Sequence, residues 1–428
     1  MIEVFEMKKL KILVLSDYAF VKGGAEQVAI ASAIGLSKKN HEVVFFSAVG
    51  PVSEELSSSN LKEIICLNQS DILDNPSRIK ATINGIYNFS AVKELKRLLL
   101  RWLPDIIHMH GLSKALSWAP IIIAKSFKIP VIYTIHDYSL LCPNLGIYNF
   151  KTQEVCSYYK KGCSIKCMVT NCDKRSYGQK LWRWSRYIIT TRIFQFDKKV
   201  SAFIAVSSFL KRFFDENLRT KKQVRLIYNP LDIKKIINLP DETVKRSGGN
   251  GLVRFLFAGR LSPEKGLELL LGAIKEVKAE LIIVGDGELM PLCKKVSRET
   301  AGRVKILGYQ DRQSVFSNMR SCDCLILPSK WLDPAPLILA EAGYNRLPCI
   351  VANHGGLSEF IKLGINGIYF EPGNMSSLKK VMMEIVENPE LLVPLKKKSK
   401  EIIEQMNLDM DHHTDEILKL YYEILTQK

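Results

Sequence analysis

A chain of 428 residues is too long for a single hydrophobic core, so two or three domains are expected, and 47% hydrophobic with 25% charged residues excludes a disordered or fibrous class. The formal net charge of +17 directs attention to anionic partners, whether an acidic substrate, a membrane surface or nucleic acid. No apolar run approaches the roughly 20 residues that cross a bilayer. The opening MIEVFEMKKLKILVLS lacks a cleavage site and runs into a β-like segment, so a cytoplasmic protein is expected.

KILVLSD (11–17) reads as a strand buried on both faces, GGAEQVAIASAIGLSKK (23–39) as the helix after it, and HEVVFFSA (41–48) as the next strand. PDIIHMHG (104–111), IPVIYTIHD (129–137) and SAFIAVS (201–207) are short apolar runs that end in polar residues. After LIYNPLD (226–232) a second series begins: VRFLFAGR (253–260), AELIIVGDGE (279–288), RVKILGY (303–309), CDCLILPS (322–329) and LPCIVAN (347–353). Strands alternating with helices predict two parallel sheets, each covered on both faces, with ligands at the carboxyl ends of the strands. The polar, Gly-rich DETVKRSGGNGL (241–252) reads as connection between them. The expected domains are 1–227, carrying a Cys-rich insertion at about 142–172, and 228–405. Residues 406–428 are expected to form a terminal helix that packs back on the first domain, its apolar face carrying Ile417, Leu418, Leu420, Tyr421, Ile424 and Leu425.

Within PSKWLDPAPLILAEAG (328–343), Asp333 and Glu341 stand eight residues apart among prolines and aliphatics. Proline favours the first helical position, so a helix is expected to start near Pro336, with Asp333 on the loop before it and Glu341 on its second turn. The unpaired N–H groups of such an end attract anions and hydroxyls. The competing reading is an N-capping Asp and a solvated Glu. Arg260 ends a strand and Lys265 follows in the loop SPEKG, so both can reach one phosphate, or both can be surface cations. VGDGEL is not the Gly-x-Gly-x-x-Gly of a dinucleotide-binding turn.

His136 closes a strand at the cleft rim, where a lone His is commonly a structural hydrogen-bonder; His110 is a weaker candidate on the acceptor side. Gly23 and Gly24 occupy the first strand-to-helix turn, where missing side chains let N–H groups approach phosphate or acceptor, or simply permit a tight turn. Cys142, Cys156, Cys163, Cys167 and Cys172 fall within 31 residues. In a cytoplasmic chain they read as unligated thiols or, for Cys156, Cys163, Cys167 and Cys172, as a structural zinc site. Residues 174–222 are strongly basic, opposed only by Asp197, Asp215 and Glu216.

In order along the chain, FAGRLSPEKG, IIVGDGEL, ILGYQ, LILPSKWLDPAPLILAEAGYNRLPCIVANHGG and NGIYFEPGN resemble the second domain of the retaining GT-B glycosyltransferases of family four, the group 1 glycosyl transferases. GGAEQV, PDIIHMHG and YTIHDYSLLCP resemble their first domain. One position departs: the family's signature is Glu, seven residues, Glu, and the first acid here is Asp333.

The resemblance implies two Rossmann-like, doubly wound α/β domains facing a cleft. It also implies transfer of a hexose, with retention, from a UDP-, GDP- or ADP-sugar to a hydroxyl acceptor in cell-surface polysaccharide or glycolipid synthesis. Arg260 and Lys265 then stand where other transferases hold a metal, so no cofactor is required for catalysis. Glu341 binds the ribose, while Asp333 and the backbone of Ala335, Pro336, Leu337 and Ile338 hold the sugar and β-phosphate. Gly259, Gly285, Gly287, Gly308 and Tyr309 complete the donor site, and His136 reaches the sugar near the reacting carbon. The basic first domain suits a lipid-linked acceptor and peripheral contact with an anionic membrane, with no nucleic-acid partner. Rival readings are a nucleotide-sugar 2-epimerase of the same fold and a non-catalytic, basic zinc and nucleic-acid-binding protein.

Overall fold

Seven short segments rich in Val, Ile and Phe form the first sheet, all paired in parallel: β1 (Lys11–Tyr18), β2 (Glu42–Val49), β3 (Glu63–Cys66), β4 (Ile106–His110), β5 (Val131–Ile135), β8 (Ala202–Ala205) and β9 (Val224–Leu226). A two-stranded hairpin of β6 (Tyr148–Asn149) and β7 (Glu154–Val155) belongs to the insertion after β5. The second sheet is also wholly parallel and comprises β10 (Arg254–Ala258), β11 (Glu280–Val284), β12 (Val304–Gly308), β13 (Cys324–Leu327), β14 (Cys349–Ala352) and β15 (Gly367–Phe370). The computed structural model describes residues 8–72, 74–111, 115–161, 165–233, 236 and 251–427, so 241–250 of the expected connection lie outside it.

The strand orders are β3-β2-β1-β4-β5-β8-β9 and β12-β11-β10-β13-β14-β15. Each order reverses direction once, between β1 and β4 and between β10 and β13. At such a reversal the loops leave the sheet to opposite faces, and the crevice between them is the ligand position in open α/β sheets. β3 and β9 are short, partly exposed edge strands whose apolar signal is too weak to be read from sequence.

Alternating residues of β1 and β2 serve two cores: Leu13, Leu15 and Val44 on one face, Ile12, Val14 and Phe45 on the other. The second face is closed by the helix Met410–Thr426, which contributes Ile417, Leu418, Leu420 and Tyr421. Burying such side chains stabilises by about 1.5–3 kcal/mol each. Gly35, inside the helix Gly24–Lys38, makes the docking possible, since a Cβ there would lie 2.4 Å from Thr414 Oγ1. The helix is also tied by polar contacts, with Tyr421 Oη 2.6 Å from His108 Nδ1 and His413 Nε2 2.9 Å from Ser32 Oγ. No helix among the described residues is long and apolar enough to cross a membrane.

Candidate functional site

Glycines shape the second domain's edge. A Cβ on Gly285 would fall 1.9 Å from Gly259 O, and one on Gly287 2.4 Å from Leu261 O. The turns after β10 and β11 therefore pack backbone against backbone, in conformations with φ of +152° at Gly259, +135° at Gly285 and +156° at Gly287. Gly308 O accepts from Gly285 N at 2.8 Å, and Tyr309 beside it is 83% exposed. Arg260, just beyond β10, is exposed, and Lys265 ends the 3₁₀ turn Pro263–Lys265. The carbonyl of Glu264 accepts from Lys330 N at 2.9 Å, which fastens this turn to the segment 328–336.

There the structure brings the predicted residues together. Lys265 Nζ lies 2.5 Å from Asp333 Oδ2 and 5.2 Å from the Trp331 ring centroid. The helix Leu337–Tyr344 begins directly after Pro336, and no side chain caps it. Asp333 is therefore not an N-cap: it is buried and spends one oxygen on Lys265. The first turn of the helix keeps its unpaired N–H character next to that ion pair. Glu341 is not a solvated helical acid either. It is buried and ion-paired with Arg312, at the start of the helix Arg312–Ser321. Burial pushes its carboxyl up, and Arg312 opposes that shift.

The first domain grips the same segment. Tyr138 Oη donates to Leu332 O at 2.7 Å and Ser207 Oγ to Pro334 O at 2.6 Å, so the carbonyls on both sides of Asp333 are held from across the cleft. From the second domain, Gly356 N donates to Asp333 O at 2.7 Å. A Cβ on Gly356 would meet Pro334 O at 2.3 Å, which is why that approach needs glycine. A second tie comes from Glu359, whose carboxylate accepts from Ser208 N at 2.7 Å and Phe209 N at 3.1 Å and so caps the helix Ser208–Asn217 of the other domain. Tyr138, Ser207, Arg312 and Glu359 escape a sequence reading that weighs residues singly. The only available signals were the position of Tyr138 two residues after His136 and of Ser207 at the end of a predicted strand.

His136 follows β5 and His110 ends β4, at neighbouring carboxyl ends of the first sheet. His110 Nδ1 is 3.2 Å from His136 Nε2, so one ring donates and the other accepts. His110 Nε2 is buried and has no hydrogen-bond partner among the described residues. Although the His136 ring keeps some contact with solvent, burial holds its imidazole down to about 3, and burial lowers His110 well below the ordinary range. Both rings are neutral at physiological pH, which suits orienting a hydroxyl rather than neutralising a phosphate. Gly23 has extended backbone and Gly24 starts the first helix, so a tight turn requires neither. A Cβ on Gly24 would meet nothing within 4 Å among the described residues.

Cys156, Cys167 and Cys172 line one small pocket together with Cys142 and Lys180, while Cys163 lies outside the described residues. Among the described residues no group of three or more His, Cys, Asp or Glu is placed to hold a metal ion. The fully buried Lys180 places Nζ 3.2 Å from Cys167 Sγ. The basic stretch 174–222 is correspondingly not one surface patch, since Lys180 and Arg186 are buried.

A family model described as "Glycosyl transferases group 1" matches residues 244–402, and one described as "Glycosyltransferase Family 4" matches residues 22–235. The "Uncharacterized 42.6 kDa protein in cps region" of Klebsiella pneumoniae is 27% identical over 364 residues, 82% of this chain and 87% of that one. The "UDP-Gal:alpha-D-GlcNAc-diphosphoundecaprenol alpha-1,3-galactosyltransferase" of Escherichia coli is 28% identical over 221 residues, 48% of this chain and 56% of that one. Like that match, several others span only about half of the relative's length. Among solved structures, Anabaena HepE in complex with UDP superposes with a TM-score of 0.66 over 97% of this chain and 100% of that one, at 19% identity. That likeness shows the GT-B fold.

Proposed function

Because the chain belongs to the group 1, family 4 glycosyltransferases, we propose that it moves a sugar from a nucleotide-sugar donor to a hydroxyl acceptor with retention at the anomeric carbon. The observation that carries this reading is the Lys265–Asp333 pair beside the uncapped start of the helix Leu337–Tyr344. As the bond from the anomeric carbon to the diphosphate oxygen breaks, charge grows on the β-phosphate. Lys265, held by Asp333, the exposed Arg260 and the first-turn N–H groups meet it. Asp333 holds Lys265 with one oxygen and offers the other to sugar hydroxyls. Glu341, steadied by Arg312, accepts from the ribose.

His136 is neutral and tied to His110, so it positions the sugar and is a poor general base. The acceptor oxygen then attacks from the leaving-group side, and the departing diphosphate takes its proton. Fixed cations supply the charge stabilisation, so transfer should proceed with Mg²⁺ and Mn²⁺ chelated. Asp323 does not compete for such an ion, because its carboxylate accepts from Arg254 N at 3.0 Å and lies 3.2 Å from Lys396 Nζ.

A UDP-hexose is the first donor to test, supported by the fold of Anabaena HepE with UDP. A lipid-linked hydroxyl is the first acceptor class, supported by the printed name of the Escherichia coli relative, and cell-surface polysaccharide synthesis is the setting. The test is thermal shift with UDP, GDP and ADP, followed by product NMR with the stabilising nucleotide's hexoses and a diphosphate-lipid acceptor. Stabilisation by one nucleotide and an acceptor-dependent product of retained configuration are expected. An altered sugar formed without acceptor would establish the epimerase, and an inverted product would overturn the mechanism.

A further inference from the structure

Arg186, near the end of the helix Tyr177–Ile188, is only 6% exposed, yet its guanidinium has no hydrogen bond or ion pair among the described residues. Its Cζ lies 5.4 Å from the Trp182 ring centroid. Burial lowers the guanidinium to about 10, so it remains a cation at neutral pH. A charge taken out of water is costly unless it is paired and hydrogen-bonded, so a buried guanidinium left unbonded is a group prepared for a ligand.

Two contacts fix where this cation stands. Tyr187, the next residue, donates from Oη to Leu140 O at 3.2 Å, which seats the helix end against the segment that follows Asp137. Phe194, just past the π turn Ile189–Ile193, places its ring 3.9 Å from that of Trp118. Trp118 in turn follows the Ala115 and Leu116 N–H groups that donate to Asp17 Oδ1 at 2.8 and 2.9 Å. Arg186 therefore faces the carboxyl ends of β1 and β5, and the charges that act on it are Arg183, Asp17 and Asp137. β4 lies between those strands and ends in His110, whose buried Nε2 is the second unbonded polar group at this edge.

The charge balance selects the ligand. Arg183 Nε lies 3.4 Å from the buried Asp173, so Arg186 is left to face Asp17 and Asp137. Two carboxylates against one guanidinium leave no surplus positive charge for a phosphate. Neighbouring sugar hydroxyls fit instead, because each can accept from the guanidinium fork and donate to a carboxylate. We propose that Arg186 and Asp137 determine acceptor specificity by binding adjacent hydroxyls of a neutral sugar unit, with Asp17 and His110 completing the site. That this sugar is the acceptor rests on the proposed transfer reaction; the saccharide site itself does not.

The experiment is saturation-transfer NMR of the full chain, without nucleotide, against the methyl glycosides of glucose, galactose, mannose and N-acetylglucosamine. Pyrophosphate, titrated by calorimetry, is the anionic probe. Wild type should bind at least one glycoside, and Arg186→Gln and Asp137→Asn should each weaken that binding by about tenfold while pyrophosphate affinity stays unchanged. Arg186→Lys keeps the charge and loses the fork, so it should weaken the glycoside as much; a cation that only balances the two carboxylates would be rescued by lysine. Should Arg186→Gln fail to fold, Arg186→Lys and Asp137→Asn carry the test. Wild type that binds none of the glycosides, glycoside binding equal in all variants, or full rescue by Arg186→Lys would overturn the proposal. So would loss of pyrophosphate with glycosides unaffected, because the site would then hold an anion. Thermal stabilisation by UDP, GDP or ADP on the same samples tests the donor site separately, so its absence beside intact glycoside binding would fail the transferase reading alone.

Discussion

The two sheet edges that meet at the cleft solve different problems. The second domain presents charge: an exposed Arg260, Lys265 paired with Asp333, and Glu341 paired with Arg312. The first domain presents neutral polarity: buried His108 within β4, buried His110 at its end and half-buried His136 just after β5, with His108 bonded to Tyr421 of the returning helix. A diphosphate that gains charge needs ionic groups that do not relax, whereas a sugar and a hydroxyl acceptor need oriented hydrogen bonds and no competing charge. In the proposed reaction this division assigns the leaving group to one domain and the orientation of the transferred sugar to the other.

Acid should separate the two domains most strongly. Burial holds His108 and His136 down to about 3 and His413 down to about 4, below the ordinary 6.5. Their folded values are depressed, so the stability they contribute is present above pH 6.5 and is lost as pH falls through that window toward 3. The first domain should unfold before the second on acidification. Four of the five tryptophans, Trp102, Trp118, Trp182 and Trp184, report on the first domain by fluorescence, while circular dichroism follows the whole chain. Early loss of the second domain, or an unchanged midpoint in His108→Gln, would break the comparison.

The next effect lies in the charged edge alone. Lys265→Ala and Arg260→Ala should each lower kcat by roughly 100-fold with the fold intact, because the lost interaction grows in the transition state. Near-wild-type turnover in both variants would remove the diphosphate clamp from the second domain.

Smaller, and more diagnostic, is the split between the two carboxylates. Glu341→Gln should weaken nucleoside diphosphate binding by about tenfold, since charge-assisted bonds are roughly twice as strong as neutral ones. Asp333→Asn should leave diphosphate affinity nearly unchanged and reduce transfer, because its sugar partner is absent from the product nucleotide. Asp333→Glu should alter sugar preference rather than raise the rate, since Tyr138, Ser207 and Gly356 already fix the backbone around the shorter side chain. Calorimetry with the diphosphate beside initial rates distinguishes these outcomes, and equal loss of affinity in the two neutralised variants would show that the roles are divided wrongly.

The smallest expected change is Tyr138→Phe. It removes one hydrogen bond across the cleft, worth about 1 kcal/mol, so kcat should fall by about fivefold with little change in diphosphate affinity. An unaffected rate would mean that the second domain holds its donor segment without help from the first.

The charged edge was the more legible one. Arg260, Lys265, Asp333 and Glu341 stand at strand ends and beside a proline-marked helix start, and such local signals need no partner to be read. Their pairing was not legible, because Lys265 and Asp333 are 68 residues apart and Arg312 and Glu341 are 29 apart. Asp333 might equally have capped its helix; the competing Lys265 contact took it instead. The Cys cluster shows the opposite limit. Spacing alone admitted unligated thiols or zinc, and it did not show that a buried lysine 13 residues beyond Cys167 lines the same pocket, its charge having been counted with the surface.

By itself the sequence determined the two series of buried strands, the amphipathic closing helix and the residue types at each strand end. These follow from periodicity and backbone chemistry, which act over a few neighbours. Only the tertiary structure decided that the closing helix is seated across Gly35, and that Tyr138 and Ser207 hold the carbonyls flanking Asp333. It likewise decided that the histidines are neutral. Those outcomes depend on long-range approach and on exclusion of water, which set the strength of every polar contact and are properties of the packed chain rather than of any segment within it.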